Sequence, residues 1–145
     1  MRIANQLVEP QYYGENRNVE DIKYIVIQTI GNKAVPHYYI QDGIAIQKVP
    51  DEYTSDAVSG GRVNKYGYLH GVCTKYNSVS IGLPDDISSD DKTMCVNLIM
   101  TIKQRYNVPI DNIVRQMDVT GACDPECWFN DTYWNKDIKD RLIEL

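Results

Sequence analysis

Ile22-Lys23-Tyr24-Ile25-Val26-Ile27-Gln28 is the stretch on which the fold turns. A nearly continuous apolar run rich in β-branched residues, broken by Gly31-Asn32-Lys33, predicts a strand over 22–30 of the buried, central kind. It runs out on a polar side chain, Gln28, where a buried strand reaches the end of its sheet.

Working outward, His37-Tyr38-Tyr39-Ile40 and Ile44-Ala45-Ile46-Gln47-Lys48-Val49 flank Gln41-Asp42-Gly43. An Asp-Gly step between two β-rich runs predicts a hairpin. Residues 50–77 carry Gly60-Gly61, Gly67 and Gly71 with little periodicity and read as a long loop, a feature that is functional or disordered in most compact domains. Ser78–Leu83 predicts another strand, stopped by Pro84. Ser88-Ser89-Asp90-Asp91 has the chemistry of a helix N-terminus, and Met94, Cys95, Leu98, Ile99, Ile102 and Tyr106 then recur at helical spacing until Val108-Pro109. Ile113–Val119 predicts a further strand, and Tyr133–Leu145 a closing helix with Trp134, Ile138, Leu142 and Leu145 on one stripe. Residues 1–21 read as an arm or loop. The order implies an α/β (α+β) domain spanning 1–145, a mixed sheet of about five strands flanked by helices.

The chain's 145 residues are enough to bury a core without covalent staples, so the four cysteines need not pair; Cys95 falls on the apolar face of its helix, and Cys123 and Cys127 are read as reduced. A formal net charge of −5 argues against nucleic acid and against anionic membranes or acidic wall polymers as partners. No run approaches the roughly 20 apolar residues of a membrane span, and the start lacks the apolar core of a secretory signal. The expectation is a protein acting inside the cell or released by lysis.

Val114-Arg115-Gln116-Met117-Asp118-Val119-Thr120-Gly121 and then Ala122-Cys123-Asp124-Pro125 complete a pattern that the first strand begins. With His37-Tyr38-Tyr39 and Asn77-Ser78-Val79-Ser80-Ile81-Gly82 in order between them, the chain resembles the type-2 N-acetylmuramoyl-L-alanine amidase family, which includes T7-type phage lysozymes and peptidoglycan recognition proteins. The resemblance implies a zinc hydrolase of the bond between N-acetylmuramic acid and L-alanine, with His at the end of the first strand, His after the Arg, and Cys before the Pro. This sequence holds Gln28, Gln116 and Asp124 at those positions. The family's Lys matches Ala122, the Glu that some members carry after the Ser-Ile-Gly strand matches no acid before Pro84, and Gly31–Pro36 is too short for the helix that usually follows the first strand.

A catalytic zinc needs three good donors and an open place for water. Two amides and a carboxylate are poor donors, so no zinc and no catalytic residues are expected. The residues left to bind a ligand are Gln28, His37, Tyr38, Gln116 and Asp124. His37 is read as strand packing ahead of catalysis and His70 as a solvated loop residue ahead of a replacement metal ligand, while Gln28 and Gln116 are equally readable as an amide pair satisfying each other. Eleven tyrosines, among them Tyr53, Tyr66, Tyr68 and Tyr76, admit a sugar-stacking or protein-binding surface. Three functions remain open: an inactive amidase-like protein binding peptidoglycan, muropeptide or a protein partner; an endolysin-like amidase with an atypical metal site; or a structural or regulatory part of a larger, phage-derived assembly.

Overall fold

The computed structural model describes residues 1–30, 34–58 and 61–144. The strand run 22–30 forms β2, whose bounds are Tyr24–Thr29, after a short β1 at Ala4–Asn5. The hairpin follows as β3 (Tyr38–Gln41) and β4 (Ile44–Gln47). Asp42 and Gly43 between them both take positive φ, 54° and 71°, the geometry a two-residue hairpin turn requires. Next come β5 (Ser78–Leu83), the long helix α1 (Ser89–Tyr106) and β6 (Ile113–Arg115). The sheet order is β1-β4-β3-β5-β2-β6, with β2 inside and every pair parallel except the hairpin.

The sheet has six strands rather than about five because the arm is not a free loop. Ala4 and Asn5 pair with Ile46 and Gln47, and Val8 N–H continues the ladder to Lys48 O at 3.0 Å. Arg17 then pins the arm inward, donating to the carbonyls of Asp51, Lys75 and Ser78. Neither anchor has a hydrophobic period to announce it.

α1 forms where the apolar spacing predicts. Ser88 caps it by accepting from Asp91 N–H while the Asp91 carboxylate takes Ser88 N–H, which supplies partners for two otherwise orphaned groups. The helix ends on Asn107 in the left-handed conformation. Cys95, Leu98, Ile99 and Ile102 bury completely with Ile25, Ile27, Val79, Ile81 and Leu83 of the sheet. The C-terminal helical stretch joins the same core through Trp134, Ile138 and Leu142. It starts earlier than the stripe suggests, as α3 (Asp131–Trp134), passes through a wider π turn over Asn135–Lys139, and ends as α4 (Asp140–Glu144). Leu145 lies outside the described residues.

The expected strand 113–119 stops at Arg115. The Asp118 carboxylate accepts Arg115 N–H at 2.9 Å, which nucleates a short helix, α2, over Gln116–Thr120. Gly121 closes it at φ 89°. Gln116 therefore opens a helix instead of sitting within a strand.

Candidate functional site

β2 and β6 run parallel in register, Ile27 beside Arg115, so Gln28, still within β2 and paired with Gly82 of β5, stands next to Gln116, where the β6 ladder has ended. The face of Gln28 follows from alternation along β2. Val26 and Val114, two residues earlier, pack with Val58, Cys73 and Val119 on the side of the sheet away from α1. Gln28 shares that face. Both amides are buried, with 1% and 6% of their surface exposed, and the Oε1 of each is enclosed without a hydrogen-bond partner. The anticipated pairing of the two amides does not satisfy these oxygens.

Asp124 joins them from the segment after α2. Its Oδ1 accepts from Thr29 N–H at 2.7 Å and from the Thr29 hydroxyl at 3.0 Å. Its backbone carbonyl accepts Met117 N–H at 2.8 Å. It is thus stitched to the neighbour of Gln28 and to the neighbour of Gln116. Burial raises its carboxyl above the ordinary range, the two Thr29 hydrogen bonds oppose that rise, and the Asp85 carboxylate adds to it. The three positions singled out in the sequence do come together.

The wall of this site is built from backbone-directed packing. A Cβ at Gly82, the residue paired with Gln28, would lie 2.9 Å from side-chain atoms of Ile30 and Pro36, so those two side chains close over the strand there. On the other flank the long loop packs Val58 and Cys73 against Val26 and Val114 of the sheet and is strapped to α2. Val63 N–H and Leu69 N–H donate to the carbonyls of Thr120 and Asp118 at 2.7 and 2.9 Å, and Asn64 donates to Gly121 O at 2.9 Å. Behind the strap, His70, Gly71, Cys73, Thr74 and Lys75 line a cavity of about 200 Å³ with Val58 and Val119. None of the three site residues is in that lining.

Asp118, whose backbone carries part of the strap, also anchors α2 by its side chain. It pairs with the buried Arg115 guanidinium at 3.1 Å, and Arg115 reaches Trp128 O and the Asp131 carboxylate as well. Ala122 offers only its backbone here, accepting Asp124 N–H at 2.8 Å. Pro84 is half-buried just beyond β5, next to Leu83, whose carbonyl takes Ile30 N–H.

Two expected binding residues are corrected. Tyr38 is fully buried on the α1 side of the sheet, and its hydroxyl donates to Asp51 at 2.9 Å in a cluster with Arg105 and Tyr106. Strand alternation turns it away from the groove. His37 is buried too. Ser80 N–H donates to its Nδ1 at 3.1 Å, so the neutral ring carries its proton on Nε2 and donates to Tyr53 O at 2.8 Å. Burial, then the nearby Arg17 cation, pushes its pKa down to about 4. It packs the strand and is not free to bind. The tyrosine stripe also scatters: Tyr66, Tyr68 and Tyr76 are exposed while Tyr38 is core. Cys73, Cys95, Cys123 and Cys127 are free thiols. Sequence reasoning missed Thr29 and Arg17, both essential to holding the site and arm. A hydroxyl placed directly after the polar end of a buried strand was the available signal for Thr29.

No family model and no curated protein matches the sequence. Solved structures match along most of the chain. PlyL is similar at a TM-score of 0.75 with 20% identity, covering 97% of this chain and 96% of that one. A mutant endolysin from Bacillus subtilis is similar at 0.70 with 14% identity over 94% of this chain and 96% of its own. The N-acetylmuramoyl-L-alanine amidase LysC from Clostridium intestinale URNW is similar at 0.61 with 13% identity over 86% and 89%. The fold is the mixed α/β fold of amidase and endolysin catalytic domains. More particularly, it is the type-2 N-acetylmuramoyl-L-alanine amidase fold, as the resemblance implied.

Proposed function

We propose that this chain is an amidase-fold binding protein without hydrolytic activity, taking fragments of peptidoglycan at the point where Gln28, Gln116 and Asp124 meet. The observation that carries the reading is the pair of enclosed, partnerless amide oxygens at the two strand ends. Buried polar atoms are nearly always satisfied by protein, water or ligand, so two orphaned acceptors on neighbouring strand ends support a place that a ligand can complete. The donor set does not fit catalytic zinc. That ion favours imidazole and thiolate, and a lone carboxylate with two neutral amides neither holds it well nor leaves it the acidic water that attacks a carbonyl. No alternative group of three His, Cys, Asp or Glu side chains is assembled among the described residues.

Peptidoglycan is favoured as the ligand because LysC, which shares this fold, is by name an N-acetylmuramoyl-L-alanine amidase, and the N-acetylmuramoyl-L-alanine bond belongs to that polymer. Among the described residues no helix is long and apolar enough to cross a membrane. The test is a pair of assays on the purified protein. Retention by immobilised wall fragments without any fall in wall turbidity, with or without added zinc, is the expected result. Turbidity falling on addition would instead establish a hydrolase, and absence of retention would remove the peptidoglycan reading.

A further inference from the structure

We infer that the arm builds a second binding site, a pocket for one neutral sugar ring, from Gln11, Tyr12 and Tyr13 together with Ala34, Val35 and Asp56. Assigning that sugar to a glycan strand rests on the peptidoglycan reading above; the pocket itself does not.

These six residues surround one open space of about 340 Å³, near the lower end of small-molecule sites and suited to a ring rather than a strand. Its three walls come from distant parts of the chain and are tied together at their bases. The arm wall is a 3-10 turn, Pro10–Tyr12, in which Tyr12 N–H donates to Glu9 O and Tyr13 N–H to Pro10 O. Thr54 holds the arm down, accepting Gly14 N–H on its carbonyl at 2.9 Å and Glu15 N–H on its hydroxyl at 2.8 Å. A Cβ at Gly14 would overlap that hydroxyl, so only glycine permits the approach. The Ser55 hydroxyl donates to Val35 O, and its oxygen accepts Ala57 N–H beside Asp56. The pocket is thus preorganised, which lowers the ordering cost of binding.

The lining decides the ligand. Tyr12 is 63% exposed, while Tyr13 leans on Tyr53 with ring centroids 5.0 Å apart, so one ring is free to be covered and the other is braced. Such rings present an apolar face and a polar tip, which suits the C–H face and the hydroxyls of a sugar. The Gln11 amide both donates and accepts, as a sugar hydroxyl does. Asp56 is the only charged residue in the lining, and Lys75 pairs with it at 3.1 Å. An anion therefore finds no cation lining the pocket, and a cation finds a carboxylate already paired. A purely apolar ligand would cover the amide and the carboxylate without satisfying them. Val35 leads into Pro36, whose ring packs over Gly82 beside Gln28, so the pocket lies one residue beyond the wall of the strand-end site.

The experiment is an NMR titration of the full chain with N,N′-diacetylchitobiose, which carries neither peptide nor charge, and separately with adenosine. The Tyr12 and Tyr13 ring signals and the Gln11 side-chain amide should move with the disaccharide and not with adenosine. Tyr12→Ala removes an exposed ring and keeps the N–H that holds the turn; it should weaken disaccharide binding at least about tenfold with the rest of the spectrum unchanged. Gln11→Ala should weaken it as well. A disaccharide that moves no arm signal, or that binds Tyr12→Ala as tightly as the natural chain, overturns the inference and leaves the wall-retention test to decide the peptidoglycan reading. Adenosine moving the same signals equally overturns the sugar assignment. Disaccharide binding at the arm in a protein that wall fragments do not retain sustains the pocket and removes the peptidoglycan reading alone.

Discussion

Lowering the pH should loosen this fold through one ring. His37 is buried with Nδ1 accepting from Ser80 and Nε2 donating to Tyr53 O, and the Arg17 guanidinium stands 3.2 Å from Nε2. A proton added to Nδ1 would destroy an acceptor and set a second cation beside the first. Burial and Arg17 therefore hold the folded ring's pKa at about 4, against an ordinary 6.5. Below about 6.5 the unfolded chain takes up a proton that the native chain refuses until near 4, so the unfolded state binds more protons and stability falls as the pH falls through that window. The size follows from about 1.4 kcal/mol per pH unit, giving a loss of roughly 3 kcal/mol between neutrality and pH 4. Denaturant unfolding at intervals from pH 7 to 4 measures it. His37→Gln should be less stable than the natural chain at pH 7 and should lose most of the slope between 6.5 and 4. Asp91 and Asp137, both held below the ordinary carboxylate range, contribute stability that is lost only as the pH drops below that range, so they do not mimic the effect. A slope that is unchanged in His37→Gln would refute the reasoning.

Further outcomes follow from the same contacts. Gln28→Leu or Gln116→Leu removes an orphaned amide and should raise stability by about 1 kcal/mol while weakening retention by immobilised wall fragments, as denaturation and a retention assay together would read. Asp118→Ala removes the buried partner of Arg115 and the acceptor of its N–H, leaving only the exposed Asp131 carboxylate, and should cost about 3 kcal/mol by denaturant unfolding. The triple variant Gln28→His, Gln116→His and Asp124→Cys should take up about one zinc per chain by elemental analysis, whereas the natural chain should show no chelator-dependent change in Tm.

The sheet was legible because its signals are local or periodic. The apolar run 22–30, the Asp42-Gly43 step and the spacing of Cys95, Leu98, Ile99 and Ile102 each specify their own element, and all were found in place. What escaped has long-range causes. Arg17 is fixed by carbonyls far along the chain, and the edge pairing of Ala4–Asn5 needs no side-chain pattern at all. The strand expected through Val119 failed at Gln116 because one side-chain contact, Asp118 on Arg115 N–H, outcompetes the β-rich sequence around it. The site positions were legible through the resemblance, but their partners were not: only coordinates reveal that Thr29 claims half of Asp124, or that the two glutamines fail to satisfy each other.

Location and chemistry separate at this site. The place where residues 28, 116 and 124 meet is set by main-chain features: the register of β2 with β6, Thr29 N–H on the Asp124 carboxylate, and Met117 N–H on the Asp124 carbonyl. The register and the Met117 bond do not depend on which side chains stand at 28 and 116, so the fold delivers a convergent point whatever donors evolution places there. What the point can hold is then decided by the donor atoms alone. Imidazole and thiolate there would suit a metal ion, whereas two neutral amides and a carboxylate are poor donors for zinc. A scaffold of this kind can change its donors at that point without rebuilding its core, because the completely buried contacts between Ile25, Ile27 and α1 lie on the opposite side of the sheet and are untouched by the change.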